Sequence, residues 1–312
     1  MAKPHILVTG GAGYIGCVLV PMLLERGHSV RVLDSLMYGG AGLLPCFRSG
    51  RFEFFPGDIR DPKAIQSAVE GCDAVIHLAA IVGFPACRKD PVLAEEVNVA
   101  GTLWVAEAAG KKRLVLFGST GSNYGAVPDQ VCTEETPLNP VSVYGKTKVA
   151  AERMLFNDCR TIAFRFATAF GLSPRMRLDL LINDFVQTAL RLKYLVVYEP
   201  HFMRSFIHVH DIARSFLFAL EHADRMIGQV YNIGAKTMNF SKAQICEMIR
   251  KQVDYYLHYA AVGEDEDKRN YVVSYEKIGG LGYKTTVTVE EGIAELVKGL
   301  RLLEVKNPYA NI

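Results

Sequence analysis

Short apolar runs alternate with segments of helical periodicity through the first 170 residues. The runs predict strands at 5–9, 29–34, 52–56, 73–78, 113–118 and 160–166, and the periodic segments predict helices at 14–26, 61–70, 91–109 and 144–157. Ala74-Val75-Ile76-His77-Leu78 and Leu114-Val115-Leu116-Phe117 lack the polar alternation of a half-exposed strand, as expected of strands covered on both faces. Strand and helix in strict succession imply a parallel sheet between two helical layers. Asp61-Pro62 and Asp90-Pro91 read as helix starts, with the acid as cap and proline in the first turn. After residue 170 the rhythm loosens. Helical patterns at 178–193, 209–222, 241–254 and 289–303 are separated by short strands and by the acidic loop Gly263-Glu264-Asp265-Glu266-Asp267. The predicted fold is α/β: a Rossmann-type doubly wound parallel sheet over 1–170 and a smaller mixed lobe over 171–312. Segments at about 200–235 return to the core. Open sheets of this type bind ligands beyond the carboxyl ends of their strands.

At the end of the first strand stands Thr9-Gly10-Gly11-Ala12-Gly13-Tyr14-Ile15-Gly16. Gly10 permits a tight turn, Gly13 lets backbone approach a pyrophosphate, and Gly16 lets the following helix pack closely on the sheet. The next strand ends in Asp34, about twenty residues on, where a carboxylate accepts hydrogen bonds from ribose hydroxyls. A carboxylate repels a 2′-phosphate, so Asp34 favours NAD over NADP.

Tyr144-Gly145-Lys146-Thr147-Lys148 places a phenol and an ammonium four residues apart, on one face of a helix. Tyrosine, with a pKa of about 10, is a poor base at neutral pH. A neighbouring lysine stabilises the phenolate and brings it into working range. Upstream, Ser119-Thr120-Gly121-Ser122-Asn123-Tyr124-Gly125 ends a core strand with hydroxyls, and Thr120 is the candidate for orienting the reacting oxygen. Taken alone, Tyr and Lys at this spacing are commonly two residues of a solvated helix. Their order after the glycine turn, Asp34 and the hydroxyl loop points instead to proton abstraction coupled to hydride transfer.

These segments resemble the extended short-chain dehydrogenase/reductases of the nucleotide-sugar epimerase/dehydratase family. The resemblance rests on T-G-G-A-G-Y-I-G (9–16), G-D-I-R-D (57–61), H-L-A-A (77–80), Y-G-K-T-K (144–148), R-S-F-I-H-V-H-D-I-A (204–213) and Y-N-I-G (231–234), beside the hydroxyl loop. It implies that Tyr14 and Ile15 join the cofactor turn, that Asp58 and Ile59 sit against the adenine, and that Leu78, Ala79 and Ala80 line the cofactor. It also implies that Thr120, Tyr144 and Lys148 form the catalytic set, with Tyr144 and Lys148 touching NAD as well. On the substrate side it makes Asn183 a candidate for the diphosphate and Arg204 and Arg269 candidate phosphate clamps, a task suited to the planar fork of arginine. Arg175 and Arg177 are further substrate candidates, with surface or helix-end charge as the other reading. Thr168 stands where many relatives carry Asn, so hydroxyl contacts there differ. Similarity to a branch of nucleotide-heptose C4 dehydrogenases rests on S-P-R-M-R-L-D-L-L-I-N-D-F and on the segments at 201–204 and 267–274. The Thr-Asp-Glu of the 4,6-dehydratases is here Thr120-Gly121-Ser122. The expected activity is oxidation at C4 of a nucleotide-activated hexose or heptose, foremost as a 4-epimerase. A C4 dehydrogenase, a dehydratase or reductase, and a non-catalytic NAD-binding sensor are the alternatives.

Charge and composition narrow the partners. The 312 residues carry a formal net charge of +2, and no Lys/Arg run stands out as a footprint for nucleic acid. No apolar run approaches the roughly 18 residues of a membrane span, and no signal-peptide pattern opens the chain. Seven scattered cysteines form neither a C-x-x-C pair nor a metal-ligand spacing, and read as reduced thiols of a cytoplasmic protein. Cys87, His77, His208 and His210 read as strand, loop or helix-start residues, and no metal is expected. The resemblance implies a homodimer formed through 91–109 and 144–157.

Overall fold

The computed structural model describes residues 3–125, 127, 130–263 and 272–303. The apolar runs become parallel strands: β1 (His5–Thr9), β2 (Ser29–Asp34), β3 (Phe52–Pro56), β4 (Ala74–His77), β5 (Leu114–Thr120), β6 (Arg160–Phe166) and β7 (Gln229–Ile233). They form one seven-stranded sheet in the order 7-6-5-4-1-2-3, parallel throughout. The winding direction reverses between β1 and β4. Two strand ends there diverge to opposite sides and leave a crevice.

Alternate side chains of each strand face opposite layers. Ile6 and Val8 of β1 share a core with Leu19, Val20 and Leu23 of helix α1 (Gly16–Glu25), and with a phenylalanine cluster below. Leu7 between them joins Val75, Val115 and Phe117 beneath Ile65 and Ala68 of α2 (Pro62–Val69) and Ala151 and Leu155 of α3 (Val143–Asp158). The predicted continuous helix at 91–109 is helical but not uniform. It comprises Pro91–Glu95, a π-turn at Glu96–Ala100, and Gly101–Ala109. At Gly101 the run crosses Ile59 so closely that a Cβ would lie 2.7 Å from Ile59 Cδ1. The π-turn adds a residue to the helical circuit and turns Asn98 inward, a local feature that apolar periodicity does not register.

Beyond residue 170, α4 (Leu181–Leu192), α6 (Lys242–Arg250) and α7 (Val289–Gly299) enclose a second core of Ile182, Val186, Ile245, Ile249, Ile293 and Leu296. Between α4 and α6 in the chain, α5 (Val209–Glu221) returns to cover the large sheet, and β7 joins its edge. Met203–His208 forms the centre of a small sheet, parallel to Thr168–Phe170 and antiparallel to Asn239–Ser241. Helices α6 and α7 open with capping boxes at Ser241/Gln244 and Thr288/Glu291. Tyr14 ties the two parts: its hydroxyl donates to the Gly171 carbonyl at 2.7 Å, and Ser173 Oγ donates to the Tyr14 carbonyl at 2.7 Å.

The phenylalanine cluster holds α5 against the sheet, with the Phe216 ring edge-on to Phe164 at 5.2 Å and to Phe166 at 5.7 Å. Phe216→Ala is expected to lower unfolding free energy by about 3–5 kcal/mol. Equilibrium urea unfolding with an unchanged midpoint would remove this cluster from the account of the fold.

Candidate active site

At the reversal point the β1 end meets the β4 end with no room for side chains. Gly10 has φ +71°, and a Cβ there would lie 2.6 Å from the Ala79 nitrogen; a Cβ on Gly16 would lie 2.4 Å from the Gly11 carbonyl oxygen. The turn opens into a cleft of about 150 Å³ whose lining includes Gly10, Gly13, Tyr14, Ile15, Gly16, Asp34, Asp58, Ile59, Leu78, Ala79 and Ala80. Asp34 closes one end. Its Oδ2 accepts the Ala12 N–H and its Oδ1 the Leu36 N–H, both at 2.9 Å, so the carboxylate is fixed with lone pairs to spare. Burial raises the Asp34 pKa against these two hydrogen bonds. Asp58 is gripped by Arg60, with Nη2 at 2.8 Å from its carboxylate, which lowers its pKa. Close backbone, an acid-free first turn of α1 and a carboxylate at the ribose end fit NAD.

A second cavity of about 770 Å³ adjoins the cleft, and Ile15, Leu78, Val82, Ala169 and Arg177 line both. One wall carries Thr120, Ser122, Tyr144 and Lys148. Thr120 ends β5 and donates to Ser122 Oγ at 3.1 Å. Ser142 caps α3 by accepting the Gly145 N–H at 3.1 Å, which places Tyr144 in the first turn and Lys148 one turn on. Lys148 is 3% exposed, with Nζ 4.0 Å from the Phe117 ring centre. Burial pushes its pKa down to about 7, opposed by Glu152 and Cys87. A phenol, a buried ammonium and hydroxyl dipoles on one wall form a set able to move a proton at a bound oxygen.

Behind this wall runs a chain of hydrogen bonds. Thr102 donates to the Asn98 carbonyl at 2.7 Å, so His77 Nε2 donates to Thr102 at 3.0 Å and Nδ1 accepts from Thr9 at 2.7 Å. Burial pushes the His77 pKa down to about 3, leaving a neutral structural imidazole. Asn98 Nδ2 donates to the Ile81 carbonyl at 2.9 Å and to Thr147 at 3.0 Å; Thr147 in turn donates to the Tyr144 carbonyl at 3.0 Å. The π-turn thereby joins the cofactor cleft to the start of α3. A polar residue within Val97-Asn98-Val99 was the sequence signal for it.

The substrate candidates divide. Thr168, Arg177 and Arg204 line the large cavity. Arg177 pairs with Asp179 through two bonds of 3.2 and 2.6 Å, and Arg204 is 2% exposed with Nη1 donating to the Met203 carbonyl at 3.0 Å. Arg175 borders the cofactor cleft instead, its guanidinium 4.2 Å above the Tyr38 ring. The Arg175 N–H donates to Ser173 Oγ at 3.3 Å, and that bond together with the Ser173–Tyr14 bond turns the segment toward α1. Asn183 lines neither space. Fully buried, it accepts the Gly171 N–H at 3.0 Å and donates to the Arg177 carbonyl at 2.9 Å, holding the loop between them. Arg269 lies outside the described residues. The cavity also presents Asp184, whose pKa burial pushes up to about 6, and Lys242, which donates to the Tyr198 carbonyl at 2.5 Å. His208 pairs with Glu295 at 2.6 Å and Cys87 donates to the Ile81 carbonyl at 3.3 Å. Among the described residues no group of three or more His, Cys, Asp or Glu could hold a metal, and no helix is long and apolar enough to cross a membrane.

A doubly wound sheet whose glycine cradle opens onto a Tyr/Lys wall defines a dinucleotide-dependent enzyme class. The model of the NAD dependent epimerase/dehydratase family matches residues 6–234, and the chain belongs to that family. It is 34% identical over 277 residues to a UDP-glucose 4-epimerase of Halalkalibacterium halodurans, covering 79% of each chain. It is 30% identical to a dTDP-glucose 4,6-dehydratase of Streptomyces niveus, over 95% of this chain and 93% of the relative. The crystal structure of Thermus thermophilus UDP-glucose 4-epimerase in complex with NAD superposes with a TM-score of 0.83 at 27% identity, over 95% of this chain and 99% of that one. The protein is an NAD-dependent enzyme of this nucleotide-sugar family.

Two consequences are measurable. Gly10→Ala puts a Cβ into backbone at a left-handed φ, strain of about 1–3 kcal/mol, and is expected to weaken NAD binding at least about tenfold by calorimetry. Unaltered affinity would show that the turn does not shape the cleft. Lys148 in the folded protein titrates well below its unfolded value of about 10.4, so its burial destabilises the fold fully below pH 7 and ceases to do so as pH rises through the unfolded pKa. Lys148→Met is therefore expected to raise the thermal midpoint at pH 6.5, with the gain shrinking toward pH 10. A lower midpoint at pH 6.5 would contradict this.

Proposed function

We propose that the chain is a nucleotide-sugar 4-epimerase, oxidising the C4 hydroxyl of a nucleotide-activated sugar and reducing the ketone from the opposite face. The observation that carries this reading is the junction of the two spaces: the large cavity, whose lining includes Thr120, Tyr144 and Lys148, shares Ile15, Leu78, Val82, Ala169 and Arg177 with the glycine-rich cleft. NAD, when bound, supplies the hydride acceptor and donor. Tyr144 removes the C4 hydroxyl proton as a phenolate, Lys148 stabilises that phenolate by its charge, and Thr120 hydrogen-bonds the same oxygen. For return of hydride to the other face, Tyr144 gives the proton back. Buried Arg204, which lines the same cavity, anchors the diphosphate.

Similarity to UDP-glucose 4-epimerases supports the epimerase outcome. A 4,6-elimination finds less support, because Gly121 and Ser122 beside Thr120 bring no carboxylate to that wall. A C4 dehydrogenase shares the first half of the reaction and differs in releasing the ketone.

The test is incubation with UDP-, GDP-, CDP- and dTDP-linked hexoses and heptoses, followed by product mass and 340 nm absorbance. Epimerisation predicts an isomer of unchanged mass without net absorbance. Loss of two hydrogens with stoichiometric absorbance would replace it with the dehydrogenase. Tyr144→Phe is expected to cut turnover by at least about 100-fold while retaining NAD; near-normal turnover would end this mechanism.

A further inference from the structure

Beneath the Tyr/Lys wall lies an ion pair that the mechanism above does not use. Glu152 is 4% exposed and follows Lys148 by one turn of α3 on the same face. Its Oε2 accepts from Ser119 Oγ at 2.6 Å and from Asn123 Nδ2 at 3.3 Å, and its Oε1 accepts from Arg165 Nη2 at 2.6 Å. Ser119 immediately precedes Thr120, and Asn123 follows it in the turn Gly121–Tyr124. Arg165, on β6, also donates to the Tyr124 hydroxyl at 3.1 Å. One carboxylate thus binds the strand end with the hydroxyls and shares a helix with the phenol and the ammonium.

We propose that Glu152 is a positioning residue that locks the Thr120 strand end to the Tyr144/Lys148 helix and supplies the countercharge to the buried Lys148 ammonium. This rests on the roles given above to Tyr144 and Lys148. The groups around Lys148 leave Glu152 as the main countercharge. Tyr144, on the same helix, is the group on which Lys148 acts in the reaction. Cys87, from the Phe84–Lys89 helix, has its pKa pushed up to about 11 by burial, and His77 of β4 is neutral. Arg165 is engaged with the Glu152 carboxylate from the side of β6. Burial lowers the Lys148 pKa, and Glu152 opposes that effect more than Cys87 does.

Glu152→Gln keeps the shape and an acceptor for Ser119 while removing the charge. In protein carrying 13Cε-labelled lysine, the Lys148 resonance, identified by its loss in Lys148→Arg, is expected to titrate about one pH unit lower in Glu152→Gln than in the wild type. Ser119→Ala breaks the link to β5 without altering charge, so it is expected to leave that midpoint in place and to slow the hydride step. An unchanged midpoint in folded Glu152→Gln, or an equal fall in Ser119→Ala, would overturn the proposal. If the single variant does not fold because Arg165 is left buried and unpaired, Glu152→Gln/Arg165→Met removes both charges, and the same fall is expected there. The titration needs no sugar substrate, so failure of the epimerase reading leaves its outcome legible. Where a sugar is turned over, the alkaline limb of the pH profile moves down with the midpoint, whereas a purely structural loss lowers the rate at every pH.

Discussion

The contact on which the rest depends is backbone against backbone where β1 and β4 part. Gly10 reaches Ala79 at a distance no side chain permits, and the first turn of α1 folds back on Gly11 just as closely. That compression leaves a cleft lined by main chain, suited to phosphates that approach amide groups. It also sets the position of Tyr14, whose hydroxyl and carbonyl bond to Gly171 and Ser173. The second lobe is therefore registered on the cofactor turn itself. Its cavity opens beside that turn because the turn holds the loop.

The parts of this arrangement visible in the sequence are those governed by local rules. Unbroken apolar runs mark strands buried on both faces, and Gly10, Gly16 and Asp34 announce a turn and a ribose end because only those residue types meet the local demand. Tyr144 and Lys148 are legible for the same reason: helical spacing alone puts them on one face. What escaped is long-range. Asn98 depends on a π-turn set by Gly101 crossing Ile59, some forty residues away in the chain. Arg175 and Arg177 are two residues apart, yet only Arg177 reaches the large cavity as well as the cleft, because Ser173 fixes one by its bond to Tyr14 and Asp179 holds the other. Asn183 sits among cavity residues in sequence, yet its amide is consumed by Gly171 and Arg177.

Electrostatics behind the reacting wall works against stability and in favour of chemistry. An ammonium buried beside Phe117 and a carboxylate–guanidinium pair beneath it would be replaced by apolar side chains if stability alone decided. Kept in place, they leave an incompletely solvated ammonium, which under the proposed mechanism is suited to act on the Tyr144 phenol. The same low-polarity surroundings explain the hydrogen-bond chain through Thr9, His77, Thr102 and Asn98. Each polar atom there has a partner, which fixes the neutral tautomer of His77.

Under the proposed mechanism one wall serves both epimerase and dehydrogenase, so the division between them would turn on freedom rather than on chemistry. For hydride to return to the opposite face, the sugar must turn while its nucleotide stays fixed. A cavity of about 770 Å³ gives that motion space, and under the proposed reading the buried Arg204 and Lys242 that also line it would hold the nucleotide. The lining is mixed: Phe84, Pro85 and Leu180 offer a ketone no hydrogen bond, whereas the Arg177 guanidinium, held by Asp179, has donors for one. Polar groups that hold one rotamer of the sugar strongly would favour release of the ketone after a single transfer. Apolar walls that leave both rotamers similar in energy favour retention and return. Under the proposed reading, the outcome would therefore depend on the balance between Arg177, held by Asp179, and these apolar walls.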